Sequence, residues 1–170
     1  LFRSGDFARA KTGAEGSLTM LRAAAAQIGE TPEMAADIAD AELRLGALEL
    51  DANQPSSARR RFREAIGRYE ALSVTETSEP HWRAVLSDAW ALAAEADYAR
   101  GAADAARDAM DKSLQARLRL AAKDPRESWA LAGTWRVRAA LRAALGDNTA
   151  AAESSSKRDP WQNNCARRIG

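Results

Sequence analysis

The sequence predicts an all-α fold, an α-α superhelix of about seven helices stacked as antiparallel hairpins, and three observations carry that expectation. Pro32, Pro80 and Pro125 stand 48 and 45 residues apart, and each is followed 21 residues later by Asn53, Gly101 or Gly146. A fixed period of about 20–50 residues marks units that bury their apolar faces only by stacking on one another. Counted from Gly5, Asn53 and Gly101, small and apolar residues recur at offsets 5, 9, 12 and 13, the spacing of one helical face, which excludes strands. A hydrophobic content of 46% with 29% charged residues supplies a continuous core and excludes a disordered chain.

The elements follow in order. A first helix at 6–28 carries Ala10, Ala14, Ser17, Leu18 and Leu21 on its packing face, and residues 1–4 read as the end of a truncated preceding helix. The second, at 33–51, starts at Pro32, whose missing N–H costs nothing in a first turn, and packs through Ile38, Gly46 and Leu50. The third, at 56–73, uses Ala58, Phe62, Ala65, Ile66 and Tyr69, with Arg61, Arg63 and Glu64 on the solvated side. The fourth, at 81–100, repeats the pattern of the second with Leu86, Ala94 and Tyr98. The fifth, at 103–122, repeats that of the third with Ala106, Met110, Ser113 and Leu114. The sixth, at 127–145, carries Leu131, Ala139 and Ala143. Small residues at the fourteenth place after each proline, Gly46, Ala94 and Ala139, let two helices approach closely. Gly and Asn at the turns suit a positive φ just past a helix C-terminus.

A short seventh helix is expected at 148–157. Beyond Ala151 the pattern fails, because Ser154, Ser155 and Ser156 occupy the packing face and Pro160 ends any helix. The expected organisation is one repeat domain at 1–152, divided into a partial repeat 1–31, repeats 32–79 and 80–124, and a partial repeat 125–152. Residues 153–170 follow as a cap or flexible tail.

Charge and motifs exclude more than they assign. A net charge of +1 gives no electrostatic case for a polyanion partner. The dense run Arg59, Arg60, Arg61 and Arg63 fans around its helix and reads as a solvated face, so no nucleic acid is expected. No apolar run approaches the roughly 20 residues that span a bilayer. The lone Cys165 forms no disulfide within the chain and points to a reduced, cytoplasmic setting. His81 is the single histidine, beside Pro80 at a helix start, where a solvated imidazole is ordinary. No phosphate loop, zinc spacing or nucleophile elbow occurs, and helix caps account for pairs such as Asp37 and Asp40. No catalytic residue, metal site or cofactor is expected. Trp82, Trp90, Trp129 and Trp135 read as buried spacers between helices.

The columns Leu45-Gly46, Asn53, Ala58, Phe62 and Ala65 resemble the tetratricopeptide repeat, as do Gly5-Asp6-Phe7 with Ala10, and Ala94, Gly101, Ala106 and Met110. The standard unit is about 34 residues; a unit of 45 to 48 resembles the long variant of bacterial multidomain proteins. The resemblance, spanning about Phe2 to Ala152, implies a non-enzymatic protein–protein interaction module that holds a peptide or partner domain on a concave face lined by the first helix of each hairpin. Carried over column by column, that face takes in Asp40, Leu43, Arg44 and Ala47, then Asp88, Ala91, Leu92 and Glu95, then Gly133, Arg136, Val137 and Ala140, with Leu43, Leu92 and Val137 alternatively read as core. The candidate partner-binding residues among them are Asp40, Arg44, Asp88, Leu92, Glu95 and Arg136. A chain that opens at Leu1 inside a repeat is expected to be part of a larger protein. The alternative reading is a scaffold that self-associates, or a regulatory domain for an enzymatic module attached upstream.

Overall fold

In a computed structural model of the chain, residues 4–74 and 80–147 are described. Six α-helices follow one another: α1 (Ser4–Ile28), α2 (Pro32–Asp51), α3 (Pro55–Ser73), α4 (Pro80–Ala99), α5 (Ala103–Ala121) and α6 (Ser128–Ala144), with a 3-10 turn at Pro125–Glu127 before α6. Each lies within a few residues of its expected span, and no strand occurs among the described residues. The seventh helix expected at 148–157 and the cap or tail at 153–170 lie outside them.

The helix ends follow from local chemistry. The Thr31 hydroxyl accepts from the Met34 N–H at 3.2 Å, and Pro32 and Pro55 open α2 and α3 where no intrahelical N–H bond is lost. The turn column behaves identically three times. Asn53, Gly101 and Gly146 take φ values of 57°, 79° and 80°. The N–H after each, at Gln54, Ala102 and Asp147, donates to the carbonyl five residues back, on Glu49, Asp97 and Arg142. Each turn thus closes a Schellman motif that satisfies the orphaned carbonyls of its helix. Asp124 caps the 3-10 turn by accepting from the Arg126 N–H, and the Arg126 guanidinium beside it holds its carboxyl below the usual range.

Each helix packs on the next, most extensively α2 on α3 and α4 on α5. The second-neighbour pairs α2–α4 and α4–α6 also touch, whereas among the described residues α1–α3 and α3–α5 do not. The core is one stack of small and large layers. Leu18 of α1 meets Ile38, Ala41 and Leu45 of α2; Ala35 and Ala39 meet Ala65, Tyr69 and Leu72 of α3; Phe62 and Ile66 meet Ala89, Ala93, Ala96 and then Met110 of α5. The fourteenth-place column sets the closest approach, because the buried Phe62 ring lies directly against Gly46.

Four expectations are corrected. Tyr98 of α4 and Ala143 of α6, expected on packing faces, are exposed. Ala10 and Ser17 of α1 are exposed, because α1 packs on α2 alone among the described helices and its face narrows to Leu18 and its neighbours. Trp129 is 80% exposed instead of serving as a spacer, since it lies in the first turn of α6; Trp82, Trp90 and Trp135 are half-buried. The arginine run of α3 is not wholly a solvated face. Arg59 reaches Asp97 of α4 at 2.8 Å, and Arg61 reaches Glu42 and Glu49 of α2 at 3.1 and 3.4 Å, while Arg60 and Arg63 face solvent. Glu42 and Asp97 are fully buried, and each is met by a second arginine, Arg22 and Arg100. A buried carboxylate persists only when paired in this way. Burial alone would lower the Arg61 pKa, but its hydrogen bonds and the charges of Glu42 and Glu49 outweigh that and raise it.

Candidate peptide-binding groove

The polar side chains of the first-half helices sort into those that hold the hairpins together and those left facing outward. Asp40 accepts from the Tyr69 hydroxyl at 2.5 Å, and that hydroxyl also lies 3.4 Å from the Ala36 carbonyl. The next unit repeats this geometry with different chemistry. Arg117 donates to Asp88 and, at 3.3 Å, to the Ala84 carbonyl. Asp40 and Asp88 both stand eight residues after their proline, Ala36 and Ala84 four, and Tyr69 and Arg117 sixteen after their turn residue. The result is one polar clasp per hairpin, joining its two helices at equivalent points. The unit that starts at Pro125 has Gly133 in the aspartate column and so lacks the acceptor. A second repeated contact lies beneath: buried Ala39 and Ala65 share a cluster in one hairpin, and Ser87 and Ser113 hydrogen-bond in the other.

The six positions carried over from the resemblance therefore fare differently. Asp40 and Asp88 are clasp acceptors, and Leu92 is half-buried against the Phe62 cluster. Arg44, Glu95 and Arg136 are exposed, and none of their side chains makes an ion pair or hydrogen bond within the described residues. Glu95 borders a hollow of about 390 Å³ between α4 and α6. Its α4 wall is Ala91, Ala94 and Tyr98; its α6 wall is Val137, Ala140 and Leu141; Met110 of α5 forms the floor. The spacing 91, 94, 98 against 137, 140, 141 places a stripe from each helix along the trough. Alanines keep the trough open, and Tyr98 and Val137 leave 43% and 52% of their surface accessible.

A larger hollow, about 730 Å³, lies between the start of α2, the end of α3 and Trp82. It is lined by mixed charge, and the Arg68–Glu30 ion pair at 2.5 Å spans it. The α4–α6 trough has the opposite character, apolar walls with one uncompensated carboxylate at the rim. What sequence reasoning missed here is the clasp, although its columns were present in the register: a hydrogen-bonding residue sixteen places after the turn, opposite an aspartate eight places after the proline.

His81 is exposed at the start of α4, and among the described residues no group of three histidine, cysteine or acidic side chains could hold a metal ion. No helix among them is long and apolar enough to cross a membrane. No protein-family model matches the chain, and no curated protein matches it. Among solved structures, the crystal structure of BtubC (BKLC) from P. vanneervenii superposes with a TM-score of 0.63 at 18% identity, over 89% of this chain and 55% of that one. The chain thus spans about half the length of BtubC. A crystal structure of MamA aligns over 98% of this chain and 99% of its own at 14% identity, with a TM-score of 0.33, at which the two do not superpose as wholes. Stacked antiparallel hairpins with a recurrent turn, together with the likeness to BtubC, show a tetratricopeptide-like helical-repeat fold.

Proposed function

We propose that this tetratricopeptide-like array is a non-catalytic protein-interaction module that seats a peptide segment of a partner protein in the trough between α4 and α6. One observation carries the reading: an apolar hollow walled by two first-half helices, with accessible Tyr98 and Val137 and an unpaired Glu95 at its rim. Apolar anchors in a pre-formed concavity supply most of the energy of such recognition, and rim charges supply register. The pattern of helix approach supports the same face. First-half helices α2, α4 and α6 touch in succession while α3 and α5 do not, as in an array that curves toward its first-half helices.

Within that surface we assign Glu95, Arg44 and Arg136 to charges on the partner. Asp40 and Leu92 shape the surface from beneath, through a clasp and the core, while the exposed Asp88 is engaged by Arg117. A peptide suited to the trough carries an apolar side chain beside a basic residue that meets Glu95.

Selection of displayed peptides on the chain tests this. Enriched sequences are expected to pair an apolar anchor with a neighbouring Lys or Arg, and to lose about tenfold or more in affinity against Ala140→Trp, which fills the trough from an exposed position. Glu95→Arg should reject the same peptides. Selected peptides that bind both variants as tightly as the parent would place recognition elsewhere.

A further inference from the structure

A third hollow, of about 500 Å³, opens at one edge of the array, where α4 begins and α5 ends. Its floor is aliphatic, Leu86 of α4 with Ala116 and Leu120 of α5, and its edge carries three cations, Arg83, Arg119 and Lys123. None of their three side chains makes an ion pair or hydrogen bond within the described residues. Among the described residues, the acidic side chains nearest to them in sequence are already engaged. Asp124 takes three side-chain contacts from Arg126, and Asp88 and Glu127 are both held by Arg117. The chain as a whole is nearly neutral, so this concentration of unpaired positive charge is local.

Helix electrostatics explain only part of it. Arg119 and Lys123 stand at the C-terminal end of α5, where cations favour the helix. Arg83 is in the first turn of α4, where a cation is disfavoured, and it is half-buried against the same apolar floor. Folding of α4 gains nothing from a positive charge there.

We propose that this hollow binds an acidic peptide segment, one aliphatic side chain entering over Leu86 and Leu120 and flanking carboxylates meeting Arg83, Arg119 and Lys123. An aliphatic floor with no aromatic side chain offers nucleic-acid bases no stacking platform, which favours a peptide over RNA or DNA. The site lies apart from the α4–α6 trough and stands independently of the function proposed for it.

The test is fluorescence anisotropy of the chain with a labelled short peptide holding one leucine between runs of aspartate. Saturable binding is expected, weakening as salt rises. It should fall about tenfold or more in the double variant Arg119→Glu with Lys123→Glu, and measurably in Arg83→Gln. A peptide with asparagine for aspartate, or serine for the leucine, should bind more weakly than the original. Arg119 and Lys123 are exposed and outside every ion pair of the described residues, so the double variant is expected to fold as the parent does, with only the small loss of stability that negative charge at a helix C-terminus brings. Glu95→Arg is expected to bind this peptide as the parent does. The proposal is overturned if the parent shows no saturable binding, if the double variant or either altered peptide binds as well as the original pair, or if polyuridylate binds through these cations while the peptide does not.

Discussion

Gly46 sits in the middle of α2 with the ring of Phe62 pressed against its backbone, and a Cβ there would fall within 3.0 Å of three ring carbons. Gly67, in the middle of exposed α3 surface, has nothing within 4 Å of the same position. Helix propensity favours alanine at both by about 1 kcal/mol, so the two sites separate propensity from packing. Gly67→Ala is expected to raise stability by about 0.5–1 kcal/mol. Gly46→Ala is expected to lower it by about 1–2 kcal/mol, because the ring is fully buried and overpacking costs more than propensity returns. Urea denaturation of both variants reads the difference, and equal shifts of the same sign would mean the α2–α3 contact is looser than described. Of this arrangement the small column at Gly46 was legible from sequence, because it recurs at Ala94 and Ala139. The buried charge was not. Arg59 and Arg61 look like surface until the partner helices bring Asp97, Glu42 and Glu49 to them, and those carboxylates come from distant points of the chain.

The hairpin is the unit at which the repeat acts, and its two helices are joined by the clasp. In the α2–α3 hairpin, burial and then the Asp40 carboxylate push the Tyr69 phenol well above its ordinary value of about 10. The folded chain therefore holds this proton more tightly than the unfolded chain. Its contribution to stability is whole below about pH 10 and is lost as pH climbs beyond it toward the folded value. Tyr69→Phe is expected to cost about 1 kcal/mol at neutral pH through the lost hydrogen bond, and to flatten the alkaline fall in stability. Denaturation curves from neutral pH to strongly alkaline conditions check both; parallel curves for parent and variant would show that the phenol is not held as described. Helix positions were the most legible feature at this scale, since prolines, turn residues and a period near 3.6 agree on them. Which side chains bridge the helices was not, because Tyr69 and Arg117 fill one column with unlike chemistry.

Across the molecule, α2, α4 and α6 approach one another in sequence and leave the trough between α4 and α6 as the accessible apolar concavity on their side. Register along the first-half helices put Ala91, Glu95, Val137 and Ala140 on one surface together with eight other residues, among them Leu43, Ala47 and Gly133, that do not line the trough. It could not separate Glu95, which borders the trough, from Asp88, which is held by Arg117, because both occupy exposed positions of the same helix. The central claim is that partners are held in this trough, and site-specific photo-crosslinking reads it most directly. A photoreactive phenylalanine at Val137, in the trough, is compared with one at Arg60, exposed on α3, each in the presence of a peptide selected on the parent chain. The account predicts a covalent adduct from position 137 and none from position 60. Adducts from position 60 with none from position 137 would contradict it.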